Sequence, residues 1–255
     1  MKLANIDFRT EKPRANGITM VLDKGLGTNA VKDMLEVAAP YIDYVKLGWG
    51  TCFIYSNIKS KLDLYKKYDM PICLGGTAFE FAYLNNKIDD FIAIVKDYGL
   101  TMVEISDGTV EMTESQKLKE IERFSKHFKV YSEFGSKDTE KLITPKIWVK
   151  GMNKELEAGA HTIIAEGRES GTAGIYRGNH EVRAGLVDEI LSEVPNDRIL
   201  WEAPEKTHQT WFIKLLGANV NLGNIAPADA LAVETLRLGL RSDTLYYIDK
   251  EYYKK

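Results

Sequence analysis

Val130-Tyr131-Ser132-Glu133-Phe134-Gly135-Ser136-Lys137-Asp138 starts as a strand and ends as a charged loop. Valine, tyrosine and phenylalanine favour the pleated backbone, and the glycine interrupts it. At the exit stand a carboxylate, Glu133, and an ammonium, Lys137, four residues apart. The rest of the chain repeats this plan: an apolar run, then charged or glycine-rich residues, then an amphipathic helix.

Strands are predicted over residues 18–22, 44–47, 71–74, 100–105, 130–138, 162–166, 199–202 and 219–222. Helices are predicted over 30–39, 57–68, 79–98, 114–127, 145–158, 181–194, 208–216 and 227–239. Thr28 or Asn29 is the expected cap of the first helix. The third is expected to break near Asn85-Asn86, both poor helix formers. Thr113 and Gln116 form a capping box, each satisfying the other's backbone donor. Strands alternating with helices imply parallel pairing and right-handed crossovers. Eight such units in 255 residues close most simply into one (β/α)8 barrel. The rival, a doubly wound open sheet, would carry a third glycine after Gly25-x-Gly27, and there is none. Residues 1–255 thus read as a single barrel domain, with 1–17 as an N-terminal arm and 245–255 as an aromatic, basic tail. That tail points to a homo-oligomer.

Composition narrows the function. A net charge of −3 and scattered basic residues provide no field for nucleic acid or an acidic membrane. No apolar run reaches the roughly 18 residues of a spanning helix. Charge interrupts the N-terminal residues, so they do not read as a signal peptide. Cys52 and Cys73 form no Cys-x-x-Cys pair and read as thiols of a reducing compartment, here the cytoplasm.

Barrel enzymes work at the carboxyl ends of their strands. The residues expected there are Asp23, Lys24, Lys46, Glu104, Asp107, Glu133, Lys137, Glu166, Arg168, Glu169, Glu202 and Lys206, with Asn221, Gly223 and Asn224. The acids suit a divalent cation with oxygen ligands, most simply Mg2+. The cations suit a phosphate or a carboxylate. Blander readings stand beside these: Asp23 and Lys24 as a turn, Glu133 and Lys137 as a salt bridge, Trp49, Trp201 and Trp211 as packing. Lys46, inside an apolar strand, must be paired or useful, because an unpaired buried ammonium costs several kcal/mol. His127, His161, His180 and His208 share no spacing that matches a metal motif.

The ordered set of motifs resembles the phosphosulfolactate synthase family. It runs through Lys46-Leu47-Gly48-Trp49-Gly50-Thr51, Gly75-Gly76-Thr77, Val103-Glu104-Ile105-Ser106-Asp107-Gly108 and Ser132-Glu133-Phe134-Gly135-Ser136-Lys137. It continues through Glu166-Gly167-Arg168-Glu169-Ser170-Gly171, Trp201-Glu202-Ala203-Pro204 and Asn219-Val220-Asn221-Leu222-Gly223-Asn224-Ile225. Phe134 stands where that family often has valine. The resemblance implies a (β/α)8 barrel that uses Mg2+ to add sulfite to phosphoenolpyruvate, giving (2R)-2-phospho-3-sulfolactate on a route to coenzyme M or sulfolactate. On that implication Glu104, Asp107, Glu133 and Glu202 are metal ligands. Lys24, Lys46, Arg168, Gly223 and Asn224 hold substrate, and Lys137 delivers a proton to C2. Two alternatives stay open: another Mg2+-dependent barrel enzyme acting on a phospho-acid, and a non-catalytic relative associated with heat stress.

Overall fold

The computed structural model describes residues 8–135 and 143–253. Eight strands run β1 (Thr19–Asp23), β2 (Tyr44–Leu47), β3 (Ile72–Leu74), β4 (Met102–Ile105), β5 (Lys129–Phe134), β6 (Thr162–Ala165), β7 (Ile199–Glu202) and β8 (Leu222–Ile225). All paired neighbours are parallel, in the order β3-β2-β1-β8-β7-β6-β5-β4. The two end strands, β3 and β4, lie against each other and bring the sheet round into a (β/α)8 barrel. Strands covered on both faces need apolar residues at nearly every position, which is why the predicted runs were so continuous.

The helices are α1 (Thr28–Ala38), α2 (Ile58–Lys67), α3 (Gly76–Leu84), α4 (Ile88–Asp97), α5 (Glu114–Ser125), α6 (Pro145–Glu157), α7 (Ala184–Glu193), α8 (Lys206–Leu216), α9 (Ala230–Arg237) and α10 (Leu245–Ile248). The break expected at Asn85-Asn86 separates α3 from α4; Asn86 takes a left-handed φ of 55°. The Thr113–Gln116 capping box opens α5. At α1 the cap is Gly27, with no side chain bonded to the helix, rather than Thr28 or Asn29.

Strand eight begins three residues later than predicted. Asn221 precedes it and serves as a bracket at the amino end: its Nδ2 donates to the Ile199 carbonyl at 3.0 Å and its Oδ1 accepts from the Ile18 amide at 3.0 Å. Asn221 therefore lies at the opposite end of the barrel from the mouth, where it was expected. At that same end Arg9 pairs with Glu234 at 2.9 Å, and Arg14 with Asp43 at 3.1 Å.

The pleat sorts the interior into layers. Residues two apart in a strand point to the same side. Met20, Tyr44, Cys73, Met102, Tyr131, Ile164 and Leu200 form one apolar cluster inside the ring. Two residues further along come Leu22, Lys46, Gly75, Glu104, Glu133, Glu166 and Glu202, which line a cavity. The residues between them point outward, where helices cover the sheet in the larger core.

Outside that ring, Phe134 meets Trp148 edge-on at 5.3 Å. Gly151 of α6 makes room for Phe134: a Cβ there would lie 2.1 Å from its ring. Gly151→Ala is therefore expected to destabilise by about 1–3 kcal/mol through overpacking. In a Phe134→Val background the same change should stabilise by up to about 1 kcal/mol, because alanine is the better helix former. Urea midpoints of the four proteins test this; equal effects of Gly151→Ala in both backgrounds would show that Phe134 is not what demands the glycine.

Candidate active site

The upper interior layer gathers charged side chains around the cavity. Lys46 Nζ lies 3.1 Å from Glu104 Oε2 and 3.3 Å from Glu202 Oε1, and all three side chains are buried. Burial works against the ammonium, but Glu104, Glu202 and Glu133 outweigh it and hold Lys46 charged well above its ordinary range. Burial also lifts the Glu104 carboxyl from 4.5 to about 7; Glu133 and Glu202 add to the rise, while Lys46 and the Gly76 amide oppose it. That amide opens α3 and donates to Glu104 Oε1 at 2.7 Å, so the positive end of a helix faces the carboxylate. A side chain at position 76 would collide with Ser106, its Cβ 2.4 Å from that of the serine.

Across the cavity, Glu133, Glu166 and Glu202 each bring one carboxylate oxygen within 4.8 Å of the others. Glu133 accepts from Ser106 Oγ at 2.8 Å, and Glu202 Oε2 from the Gly167 amide at 2.9 Å. Glu166 Oε1 accepts from the Arg168 amide at 2.5 Å. Three buried oxygens this close repel one another, and they are the donor set that hard divalent cations take. The cavity they line measures about 230 Å³ and also meets Trp49, Gly75, Thr77, Thr109, Arg168, Glu169 and Asn224. Asn224 holds a left-handed φ of 55°, and its Oδ1 is buried with no hydrogen-bond partner among the described residues.

A model of the (2R)-phospho-3-sulfolactate synthase family matches residues 7–243. The chain belongs to the phosphosulfolactate synthase family. It is 42% identical over 243 residues to the phosphosulfolactate synthase of Methanothermobacter thermautotrophicus, covering 93% of this chain and 94% of that one. It is 42% identical over 244 residues to that of Bacillus subtilis, covering 94% and 97%. The 3-hexulose-6-phosphate synthase of Salmonella typhimurium superposes with a TM-score of 0.57 at 13% identity, over 90% of this chain and 99% of that one. That last likeness is one of fold. Family membership makes this chain one of a group of lyase-type enzymes.

Of the residues expected at the mouth, Lys46, Glu104, Glu133, Glu166, Arg168, Glu169, Glu202 and Asn224 come together around the cavity. Others do not. Met20 and Leu22 point inward, so Asp23 points outward; it accepts from Tyr65 at 2.8 Å and pairs with Lys61 at 2.6 Å. Lys24 stands outside the lining, over the Trp49 ring at 4.8 Å. Asp107 turns away to Lys117 at 2.8 Å, while its neighbour Ser106 reaches Glu133. Lys206 pairs with Asp243 at 3.0 Å. Gly223 and Asn224 lie within β8 rather than after it. A Cβ on Gly223 would sit 2.9 Å from Leu200 and 3.0 Å from Met20, so that residue faces the packed interior. Lys137 lies outside the described residues.

Two supports escaped the sequence reading. Lys117 is buried and bonds Asp107 and Glu155 at 2.8 Å and the Glu133 carbonyl at 2.6 Å. It shares a helix face with Ile121 and Phe124, four and seven residues on, and that spacing was the available signal. Glu80 Oε1 lies 2.6 Å from Ser106 Oγ and shares that hydroxyl's one hydrogen with Glu133, a contact across elements with no local signature.

The raised Glu104 carboxyl has a sign that can be tested. Its pKa is about 7 folded against 4.5 ordinarily. Between those values the unfolded chain binds fewer protons, so this group's contribution to stability is full below 4.5 and falls as pH rises towards 7. Glu104→Gln should match wild type near the acid end of that window and lose less stability across it. Urea unfolding at several pH values measures this; parallel wild-type and variant curves would contradict it.

Proposed function

We propose that the chain is a phosphosulfolactate synthase in the full sense: it adds sulfite to phosphoenolpyruvate, with Mg2+, to give (2R)-2-phospho-3-sulfolactate. The observation that carries this reading is a buried ammonium, Lys46, beside a cluster of three glutamate oxygens within 4.8 Å of one another. Such a site takes a hard cation and an anionic carboxylate side by side.

Glu133, Glu166 and Glu202 would hold the Mg2+. This set keeps two of the residues expected from the motifs and brings in Glu166; Glu104 serves instead as the partner of Lys46. When bound, the metal supplies positive charge against an electron-rich transition state. Sulfite attacks the methylene carbon of phosphoenolpyruvate and forms the C–S bond. The π electrons of the C=C bond move towards C2 and the carboxylate. Lys46 and Arg168 offer fixed positive charge there, which is worth more in a buried site than in water. A proton delivered to C2 completes the addition, and Lys137, two positions after Gly135 in the chain, is the proposed donor. Asn224 lines the cavity, and its Nδ2 would donate to an anionic substrate. Both cysteines are free thiols, in keeping with work in the cytoplasm. The product would serve coenzyme M or sulfolactate synthesis.

Incubation with phosphoenolpyruvate, sulfite and Mg2+, followed by 31P NMR, should give the signal of a new phosphate ester, and chelation of the metal should stop it. Lys137→Ala should cut turnover by roughly 10²–10⁴ while the protein stays folded. A wild-type rate in that variant would remove Lys137 from the proton step, and turnover of some other phospho-acid without sulfite would replace the whole reading.

A further inference from the structure

We propose that His180, Glu205 and His208 form a second metal site, for a zinc-class transition ion, that ties the loop after β6 to the start of α8. These residues lie outside the cavity, and the proposal does not depend on the reaction assigned above. One ring nitrogen of each histidine and one Glu205 oxygen lie within 4.8 Å of one another. His180 Nδ1 is already 3.1 Å from Glu205 Oε1.

The state of His208 is the independent observation. Its Nε2 lies 2.9 Å from the His180 carbonyl oxygen. A carbonyl only accepts, so Nε2 carries the hydrogen. That leaves a lone pair on Nδ1, which is buried with no hydrogen-bond partner among the described residues. The residue is 1% exposed, so this is a buried acceptor left unsatisfied by the described residues. A ligating histidine commonly donates its other ring hydrogen to a backbone carbonyl in this way, which fixes tautomer and orientation.

The surroundings hold the ring in place. His208 stacks on Tyr176 with centroids 3.9 Å apart. Gly171, at a left-handed φ of 66°, leaves room for it: a Cβ there would lie 2.2 Å from His208 Cε1. The side chains of His180 and Glu205 are 46% and 43% exposed, which gives an ion a path from solvent. Two imidazoles and one carboxylate are borderline donors that favour zinc, cobalt or nickel over magnesium, and they leave a fourth position for water. The consequence reaches the active site, because the Tyr176 hydroxyl donates to the backbone carbonyl of Glu202. An ion at the second site would brace the loop that carries Arg168 and Glu169.

The test uses the full chain, stripped of metal and held in excess Mg2+. Zn2+ is titrated by calorimetry and Co2+ by its visible d–d bands. Wild type should bind one equivalent that His180→Ala loses and Glu205→Gln weakens by more than the roughly 10–100-fold that an outer partner costs. Both variants alter partly exposed residues, so folding is not at stake. Glu166→Gln, in the cavity, should keep that equivalent. Zn2+ should also slow amide exchange across residues 169–182 in wild type and leave His180→Ala unchanged. Equal binding by wild type and His180→Ala, or loss of the equivalent only in Glu166→Gln, would overturn the site. Binding without slowed exchange would overturn the bracing role.

Discussion

The Lys46 ammonium is the contact on which the rest of the interior depends. It joins β2 to β4 and β7, strands that do not pair with one another in the sheet. A buried charge without a partner costs several kcal/mol, so the three side chains must stay together. Because residue 46 must face inward, Tyr44 must as well, and the register of β2 against β1 and β3 follows. One ion cluster thus fixes where the apolar floor ends and the polar layer begins. The constraint runs both ways: the packed floor of Met20, Tyr44, Met102, Tyr131 and Leu200 keeps the charges dry and the electrostatics strong.

Much of this was legible in the sequence because the strands are short and obey a period of two. Tyr44 and Lys46, Met102 and Glu104, Tyr131 and Glu133, Ile164 and Glu166, Leu200 and Glu202 repeat one pattern: an apolar residue, then a charge two places on. Where the reading counted position along the chain and neglected parity, it failed. Asp23 ends its strand as neatly as Glu202 ends β7, yet it follows an inward Leu22 and so faces α2. Asn221 failed for another reason. The run from Asn219 to Leu222 has strand-forming residues, but the fold uses the asparagine side chains to hold backbone at the amino end. Propensity could not separate a strand from the bracket before it.

Past the last strand residue, parity gives no guidance. Ser106 and Asp107 lie in a loop, and nothing local says that Ser106 meets Glu133 while Asp107 pairs with Lys117. The pairing of His180 with His208 is more remote still. It arises because the loop after β6 and the start of α8 meet above neighbouring strands, a contact between residues 28 apart. Loop residues of this kind are found by geometry, since their spacing follows loop length and carries no period.

On the proposed reading, the charge count of the cavity gives a reason for a cation in it. Among the described residues its lining holds five glutamates, at 104, 133, 166, 169 and 202, against Lys46 and Arg168. Such a surface would repel phosphoenolpyruvate and sulfite, both multiply negative. The raised carboxyl of Glu104, which carries a proton for part of the time near neutrality, reduces that excess. A divalent ion at the trio of Glu133, Glu166 and Glu202 would change the local balance by two units. On the proposed reading the metal is as much a condition for substrate entry as for the chemistry. A site with fewer acids would bind the anions alone, and it would forgo the fixed positive charge held where the electrons must go.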